Sequence, residues 1–353
     1  MSLGSLLRKE LCWSRRNALV LVFLVLLVPV FFAGTSLLFQ DVLPRNVPVA
    51  IVAEDDDVTD EELELVEGTI DSFTDPRIVE GETDRLLDRE SVYGVVVVPP
   101  DISEEGAEAT VTWTADGAVV PFQSPSDVLQ GLMEFHLDRL FDADVTVERE
   151  PVGERSDLPE YLVPTFLLAL TIFFAFTYVP YMLRREKAVL DRVRLEASLE
   201  SLVGAKLLYM AVLMLAPVFV FHLVSWHYGY GVAVLRPGAL AVLLLTFVFL
   251  ATLSATVTVL TRFGGVGTFV NLVLMLGLLA LSGLVFPRGF FSTVRTTVVQ
   301  LLPTYYASIT VRSLMMKDVS LTTYLDWIAM LGGLTVLAVV ALKLSIVHYR
   351  RTT

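Results

Sequence analysis

The residues that could carry out catalysis are few in this sequence, and their spacing does not suit known catalytic motifs. Of the four histidines, His222 and His227 are five residues apart and lack the glutamate of the His-Glu-x-x-His zinc motif. No Gly-x-Ser-x-Gly nucleophile elbow occurs. The sequence Gly-Ala-Lys ending at Lys206 lacks the first glycine of a phosphate-binding P-loop, and leucine follows the lysine where the motif needs Ser or Thr. The chain is therefore predicted to have no catalytic, nucleotide or cofactor site of its own.

Clustered carboxylates suggest a calcium site at one place, the Glu-Asp-Asp-Asp run at 54–57. An EF-hand loop beginning at Asp55 would need glycine where Asp60 stands and glutamate where Val66 stands. A single cysteine, Cys12, excludes an internal disulfide and a cysteine metal cluster. The acidic run is therefore predicted to be solvated surface, with no metal bound.

Composition indicates a membrane protein, because 54% of the residues are hydrophobic and only 18% are charged, against ~25% charged in soluble domains. Residues 40–160 hold 32 of the 39 acidic residues and 7 of the 26 basic ones, so the net charge of this segment is −25. Its basic residues are all arginines. Such a surface suits an external medium of high salt, where self-repulsion is screened, and predicts a halophilic protein with one acidic, water-facing domain.

Six apolar stretches are long enough to cross a bilayer as helices, since about 20 residues are needed. Open strands do not persist in lipid, so helices are required. The six predicted spans are residues 18–39, 161–183, 207–226, 238–260, 268–287 and 326–347. The first one follows basic residues in the manner of a signal peptide, but 22 apolar residues exceed the ~7 to 15 of such a segment.

The short basic segments predict the orientation of these spans. Those on the side of the two termini carry 14 basic residues, whereas those on the other side, without the long acidic insert, carry 5. The positive-inside rule therefore places both termini in the cytoplasm and residues 40–160 outside the cell, in a multi-pass protein of the cell membrane.

The acidic insert is predicted to be a small α/β domain with a mixed sheet. Short β-branched runs at 47–54 and 93–100 resemble buried strands, and the alternating run at 109–116 resembles a half-exposed one. A returning strand is predicted at 145–150. Thr59 and Glu62 form a capping-box pair, which predicts a helix from about Asp60, and a second helix is predicted over 125–141.

The segment 184–206 carries charges of both signs, and its apolar face shifts near Ser198, which predicts two short amphipathic pieces. It is either a basic topology loop lying on lipid headgroups or a docking element for another protein. Its charge content favours docking.

The segment 281–325 contains apolar pieces of only ~10 residues, too short to span a bilayer. We predict two short helices, 294–302 and 307–315, that meet at Pro303. They would form a re-entrant hairpin within 288–325 that closes the exit of a pathway, with Tyr305 and Tyr306 at the interface and Arg312 reaching headgroups or an acidic partner. The alternative is a pair of helices lying flat outside the membrane.

This order of segments resembles the type-2 permease family of ATP-binding-cassette (ABC) exporters, in the subgroup with an external domain between the first two spans. The runs VPVAIVAED (47–55) and YGVVVVPP (93–100) are similar to that subgroup's external patterns. The most specific match is a Ser-Gly-x-x-Phe-Pro motif followed by Leu-Pro-x-x-Tyr, made by Ser282, Gly283, Phe286, Pro287, Leu302, Pro303, Tyr306 and Arg312. Ala188-Val189 stands where the family commonly has Gly-Thr, and no Ser-Pro occurs near residues 196–198.

The resemblance implies a membrane all-α six-helix bundle with an inserted extracellular α/β domain. Its divisions would be residues 1–39 (N-terminal helix and first span), 40–160 (external domain) and 161–353 (the remaining spans). The implied ATPase-coupling residues are Glu186, Lys187, Asp191, Arg192, Glu196 and Glu200. The implied pathway residues are Gly283, Pro287, Pro303, Tyr305, Tyr306 and Arg312.

The resemblance also implies the partners. These are a separate ABC ATPase that binds ATP and magnesium, a second permease half in a homodimer or heterodimer, and the lipid bilayer, but no nucleic acid. The nearly charge-free spans suit an amphipathic or lipid-like cargo. The alternative function is a transmembrane receptor or sensor with an extracellular ligand-binding domain, although such proteins usually have one or two spans and a cytoplasmic output domain.

Overall fold

In the computed structural model, the acidic part of the chain folds into a five-stranded sheet with helices. The structure describes residues 47–100, 102–103, 108–140, 144–152, 155–187, 198–284 and 293–352. Within this sheet domain the elements are β1 (Pro48–Ala53), α1 (Asp60–Ile70), β2 (Asp75–Ile78), α2 (Thr83–Asp88), β3 (Gly94–Val98), β4 (Glu108–Asp116), α3 (Val120–Leu140) and β5 (Asp144–Val152).

The sheet is mixed, as the sequence predicts, with strand order β2-β1-β3-β4-β5. β3 and β4 are antiparallel, whereas β1 pairs with β2 and β3, and β4 with β5, in parallel. β1 is buried on both faces because Val49 and Ile51 pack into one apolar cluster and Ala50 into another. This two-sided burial explains why its sequence is a continuous apolar run and not an alternating one.

Local sequence chemistry sets the start of α1. Thr59 is the N-cap, its hydroxyl oxygen accepts a hydrogen bond from the Glu62 amide (3.3 Å), and the Glu62 carboxylate accepts one from the Thr59 amide (3.0 Å). The predicted capping box is therefore present. Burial raises the pKa of Glu62, but hydrogen bonds from Thr59 and Ser103 outweigh this effect and leave the pKa lowered.

The remaining described elements are almost all helical. A long helix consists of α4 (Leu158–Phe173), a π-helical turn (Phe174–Tyr178) and α5 (Val179–Glu186). After it come α6 (Leu199–Leu213), α7 (Leu215–Tyr228), α8 (Pro237–Leu260), α9 (Gly265–Leu281), α10 (Thr293–Gln300), α11 (Pro303–Met316), a short 3₁₀ turn (Leu321–Tyr324) and α12 (Leu325–Thr352). α8 is buried along most of its length in the apolar core that these helices share.

Four of the described helices are long and apolar enough to cross a membrane: 158–186, 199–228, 237–260 and 321–352. They match four of the six predicted spans. α9 overlaps the predicted span 268–287 from residue 268 to residue 281 and is a shorter apolar helix of 17 residues. The first predicted span, 18–39, lies outside the described residues. The count of six spans therefore stays a prediction.

Two further expectations are refined. The prediction of two amphipathic pieces in 184–206 changes, because Ser198 is the N-cap of α6 and residues 199–206 are the first turns of the long 199–228 helix. The two short helices predicted at 294–302 and 307–315 are present as α10 and α11, with Pro303 as the first residue of α11. Proline suits that position because the first amides of a helix have no intrahelical partner.

Candidate functional site

A groove of about 640 Å³ lies between the long helix 158–186 and α9. Its walls are mainly apolar and aromatic, and Arg184 is the one charged side chain among the described residues that line it. The Arg184 guanidinium donates a hydrogen bond to the Thr268 hydroxyl (2.8 Å), which joins the two walls. The other lining residues are Phe173, Phe176, Thr177, Tyr178, Tyr181 and Leu272. The groove therefore offers an apolar surface with a cation at one end.

The π-helical turn forms part of this groove wall. The Val179 amide bonds to the Phe174 carbonyl five residues back, and the Phe174 and Tyr178 rings stack at 4.8 Å. Pro180 follows and has no amide to donate to the Phe176 carbonyl, so the ordinary α-helical bond is lost at this point. π-turns are rare inside α-helices and are frequent at functional sites. Sequence analysis missed this feature, although Pro180 inside a predicted span is the signal that could have found it.

The end of the helical bundle nearest the sheet domain, here called the sheet end, brings the Ser-Gly motif and the start of α11 together. Gly283 has φ +62°, a left-handed conformation that suits glycine after the end of α9. The hydroxyls of Ser282 and Thr304 are 2.6 Å apart, and Thr165 on α4 donates to the Leu284 carbonyl (3.0 Å). Gly283 and Pro303 thus lie in one packed region. Pro287 lies outside the described residues.

Arg312, on α11, is fully enclosed at the sheet end. Its side chain is 4% exposed and its Nε lies 3.2 Å from Oε1 of Glu90 in the sheet domain, which is 2% exposed. Its guanidinium also contacts the Tyr161 hydroxyl and lies over the Tyr161 ring, 4.7 Å from the ring centre. Arg312 therefore has an acidic partner, as one of the two predicted alternatives required, and this partner is Glu90. Because the Arg312 side chain is buried, it does not contact lipid headgroups. Sequence analysis missed Glu90 and Tyr161.

Tyr305 and Tyr306 lie within protein contacts. Tyr305 is 5% exposed and belongs to an apolar cluster with Val299, Ile309 and Tyr324. The Tyr306 hydroxyl donates to the Gln300 carbonyl (2.8 Å), which ties α11 to α10. These contacts stabilise the α10–α11 pair, and no interfacial anchoring is required to explain the two tyrosines.

The opposite end of the bundle, here called the far end, contains Glu186, Lys187 and Glu200 of the predicted coupling residues. Glu186 forms an ion pair with Lys206 (2.8 Å), and Glu200 with Arg350 on α12. Lys187 directly follows α5. Asp191, Arg192 and Glu196 lie outside the described residues. Glu186 and Glu200 are therefore engaged within the chain, where they fix the ends of three helices around the 188–197 connection.

No metal site is apparent in the parts of the chain that the structure describes: no group of three His, Cys, Asp or Glu side chains there could hold an ion. The carboxylates at 54–57 are exposed, and Asp55 accepts a hydrogen bond from the Asp57 amide (3.0 Å).

Comparison with known proteins gives one finding for the whole chain. The family model described as ABC-2 family transporter protein matches residues 19–343. No curated protein and no solved structure matches the chain.

Proposed function

Because the chain belongs to the ABC-2 family of transporter proteins, we propose that it is the permease subunit of an exporter that a separate ATPase subunit drives. The family match, which extends from residue 19 to residue 343, carries this proposal. It favours transport over the receptor alternative. ATP and magnesium would be bound by the ATPase, and this chain would supply the membrane pathway.

We propose an amphipathic substrate, on the basis of the groove beside the π-turn. Phe173, Tyr181 and Leu272 offer an exposed apolar surface to an acyl chain, and Arg184 lies at one end of it. A guanidinium binds phosphate and carboxylate oxygens through several donors in a fixed plane. The lining thus suits a lipid-like molecule with an anionic headgroup better than it suits an inorganic ion.

Coupling to the ATPase is proposed at the far end of the bundle. The 184–206 segment would contact the ATPase through Asp191, Arg192 and Glu196, while the ion pairs of Glu186 and Glu200 hold its two ends in place.

Two permease halves, identical or different, would form the complete pathway. Both termini would lie in the cytoplasm and residues 40–160 outside the cell, as the distribution of basic residues favours.

Copurification with the co-expressed ATPase tests this proposal. We expect the wild-type chain to bring down the ATPase from detergent extracts and to change its rate of ATP hydrolysis. Reversal of Asp191 and Glu196 to Lys, which leaves the Glu186–Lys206 ion pair intact, should reduce recovery of the ATPase at least tenfold. The matched control reverses two exposed carboxylates of the sheet domain, those of Asp56 and Glu61, and should leave recovery unchanged. Failure of the wild-type chain to bind the ATPase would contradict the proposal.

A further inference from the structure

The last residue of α2 and the turn after it, residues 88–90, are attached to the sheet end of the helical bundle at all three positions. The Asp88 carbonyl accepts hydrogen bonds from the Ser313 hydroxyl (3.0 Å) and the Tyr324 hydroxyl (2.7 Å). Arg89 forms an ion pair with Asp326 (2.6 Å) and donates from Nε to the Thr323 carbonyl (3.0 Å). We call residues 88–90 the docking loop.

The third residue of the docking loop makes the most demanding contact. Glu90 pairs with Arg312 at 3.2 Å, and both side chains are almost fully buried. Taking two charges out of water costs much of what their attraction returns, so such a pair adds little net stability, whereas loss of one partner is severely unfavourable. The Glu90 backbone also has φ +49°, which is a strained conformation for a residue with a side chain. The loop is thus held in a state that depends on its partners on α11 and α12.

A second set of contacts extends the attachment beside the loop. Lys317, directly after α11, contacts the Asp116 carboxylate and donates to the Leu87 carbonyl (3.3 Å). Arg236 binds the carbonyls of Leu314 (3.0 Å) and Lys317 (2.8 Å) and so fixes the end of α11. The sheet domain is therefore docked on the bundle through hydrogen bonds and ion pairs.

The docking loop is connected to both helices that line the groove. Through Arg312 it reaches Tyr161 on α4, the same continuous helix that carries Phe173, Phe176 and Arg184 farther along. Through α11 it reaches Ser282 at the end of α9, because Thr304 and Ser282 are hydrogen-bonded. Movement of the loop would consequently be transmitted to the sheet ends of both groove helices.

We propose that the docking loop is an outer latch: attached, it holds the sheet ends of the two groove helices together, and it must detach for substrate to leave. This inference rests on the proposed function. Loss of either partner would leave an uncompensated buried charge, so the pair can separate only if the loop moves away and both side chains reach water. Glu90 is then a positioning residue that acts through Arg312 on the groove helices.

A reversible cross-link tests the latch. In a Cys12→Ser background, Asp88→Cys and Ser313→Cys place two thiols where the loop meets α11. The chain and its ATPase are reconstituted in vesicles that contain fluorescent phosphatidylglycerol, and ATP-driven movement of this lipid is followed by dithionite quenching. Oxidation should lower the flux at least tenfold, and reduction should restore it. The control pair, Val97→Cys with Thr112→Cys, lies on paired strands within the sheet and should leave the flux unchanged on oxidation.

The outcomes separate the latch from the proposed function. Unchanged flux in the oxidised, cross-linked Asp88–Ser313 protein would overturn the latch. Absence of ATP-driven flux in the wild-type chain would instead contradict the proposed function. A second measurement tests the latch without transport. In a chain that carries Ser313→Cys as the reporter thiol, Glu90→Gln should raise the rate at which an impermeant maleimide labels this thiol at least tenfold. No rise in labelling would overturn it.

Discussion

Gly94 is the position at which a single methyl group should disturb the sheet domain most. A Cβ built on Gly94 would lie 2.0, 2.5 and 2.6 Å from Cη2, Cζ3 and Cζ2 of the Trp113 ring. Trp113 is fully buried, and its indole N–H donates to the Ser126 hydroxyl (2.9 Å). To restore an ordinary contact of 3.4 Å, ring and strand must separate by about 1.4 Å, which also weakens the indole hydrogen bond.

The cost of Gly94→Ala follows from these contacts. Overpacking a buried site costs about 1–3 kcal/mol, and a buried donor without its partner costs about 1–3 kcal/mol more. The lower entropy of the unfolded alanine chain returns about 0.4–1 kcal/mol. We therefore expect the sheet domain to lose about 2–4 kcal/mol of its free energy of unfolding.

Pulse proteolysis of the detergent-solubilised full-length protein in urea measures this loss. The free energy of unfolding of a domain of this size falls by about 2 kcal/mol per M of urea, in a range of about 1–3. A loss of about 2–4 kcal/mol should therefore lower the urea midpoint by roughly 1–2 M. Gly68→Ala is the matched control, because a Cβ there would have no atom within 4 Å. The control should stabilise α1 by up to about 1 kcal/mol. A midpoint for Gly94→Ala equal to that of the wild type would refute the close-packing argument.

Three further predictions concern charge and capping. Replacing Arg184 with Leu should raise the KM for an anionic fluorescent lipid at least fivefold, while Arg184→Lys has a smaller effect; equal KM values in flux assays would argue against a headgroup site. Burial raises the pKa of Asp88, and the nearby Lys317 opposes this shift. Protonated Asp88 therefore stabilises the folded state, and this stabilisation is lost as the pH rises through the raised pKa. Asp88→Asn should therefore increase thermal stability at pH 7 and reduce its fall from pH 4 to 7, and an unchanged pH profile would contradict this. Thr59→Ala removes the N-cap side chain of α1 and should lower the free energy of unfolding by about 1 kcal/mol in the urea assay. An unchanged urea midpoint would exclude a stabilising role for this cap.

Much of the fold could be predicted because its signals are local. The capping box of Thr59 and Glu62 gives the start of α1, and the alternation at 109–116 gives β4. β2 was missed because its four residues, Asp75–Ile78, include three that are exposed. A short edge strand of this kind has no buried period to detect.

The candidate site depended more on tertiary contacts. Pro303 was singled out from a local feature, a proline between two short apolar pieces, and Gly283 from the family's Ser-Gly-x-x-Phe-Pro motif. The partner of Arg312 was not identified, because Glu90 is 222 positions away in the sequence and belongs to a domain with many other carboxylates. Nothing in the local sequence distinguishes a carboxylate that will be buried from one that stays solvated. The π-turn was missed for another reason: a hydropathy window averages over it, and only Pro180 marks it.

ATP-driven movement of lipid is the measurement that tests the transporter assignment most directly. Vesicles containing the chain, its ATPase and fluorescent phosphatidylglycerol should show a change in the dithionite-accessible fraction that requires ATP hydrolysis. The change should be lost when the ATPase carries a substitution in its own P-loop lysine. An equal change without ATP, or none with a range of anionic and neutral amphiphiles while the ATPase is bound and active, would contradict the account.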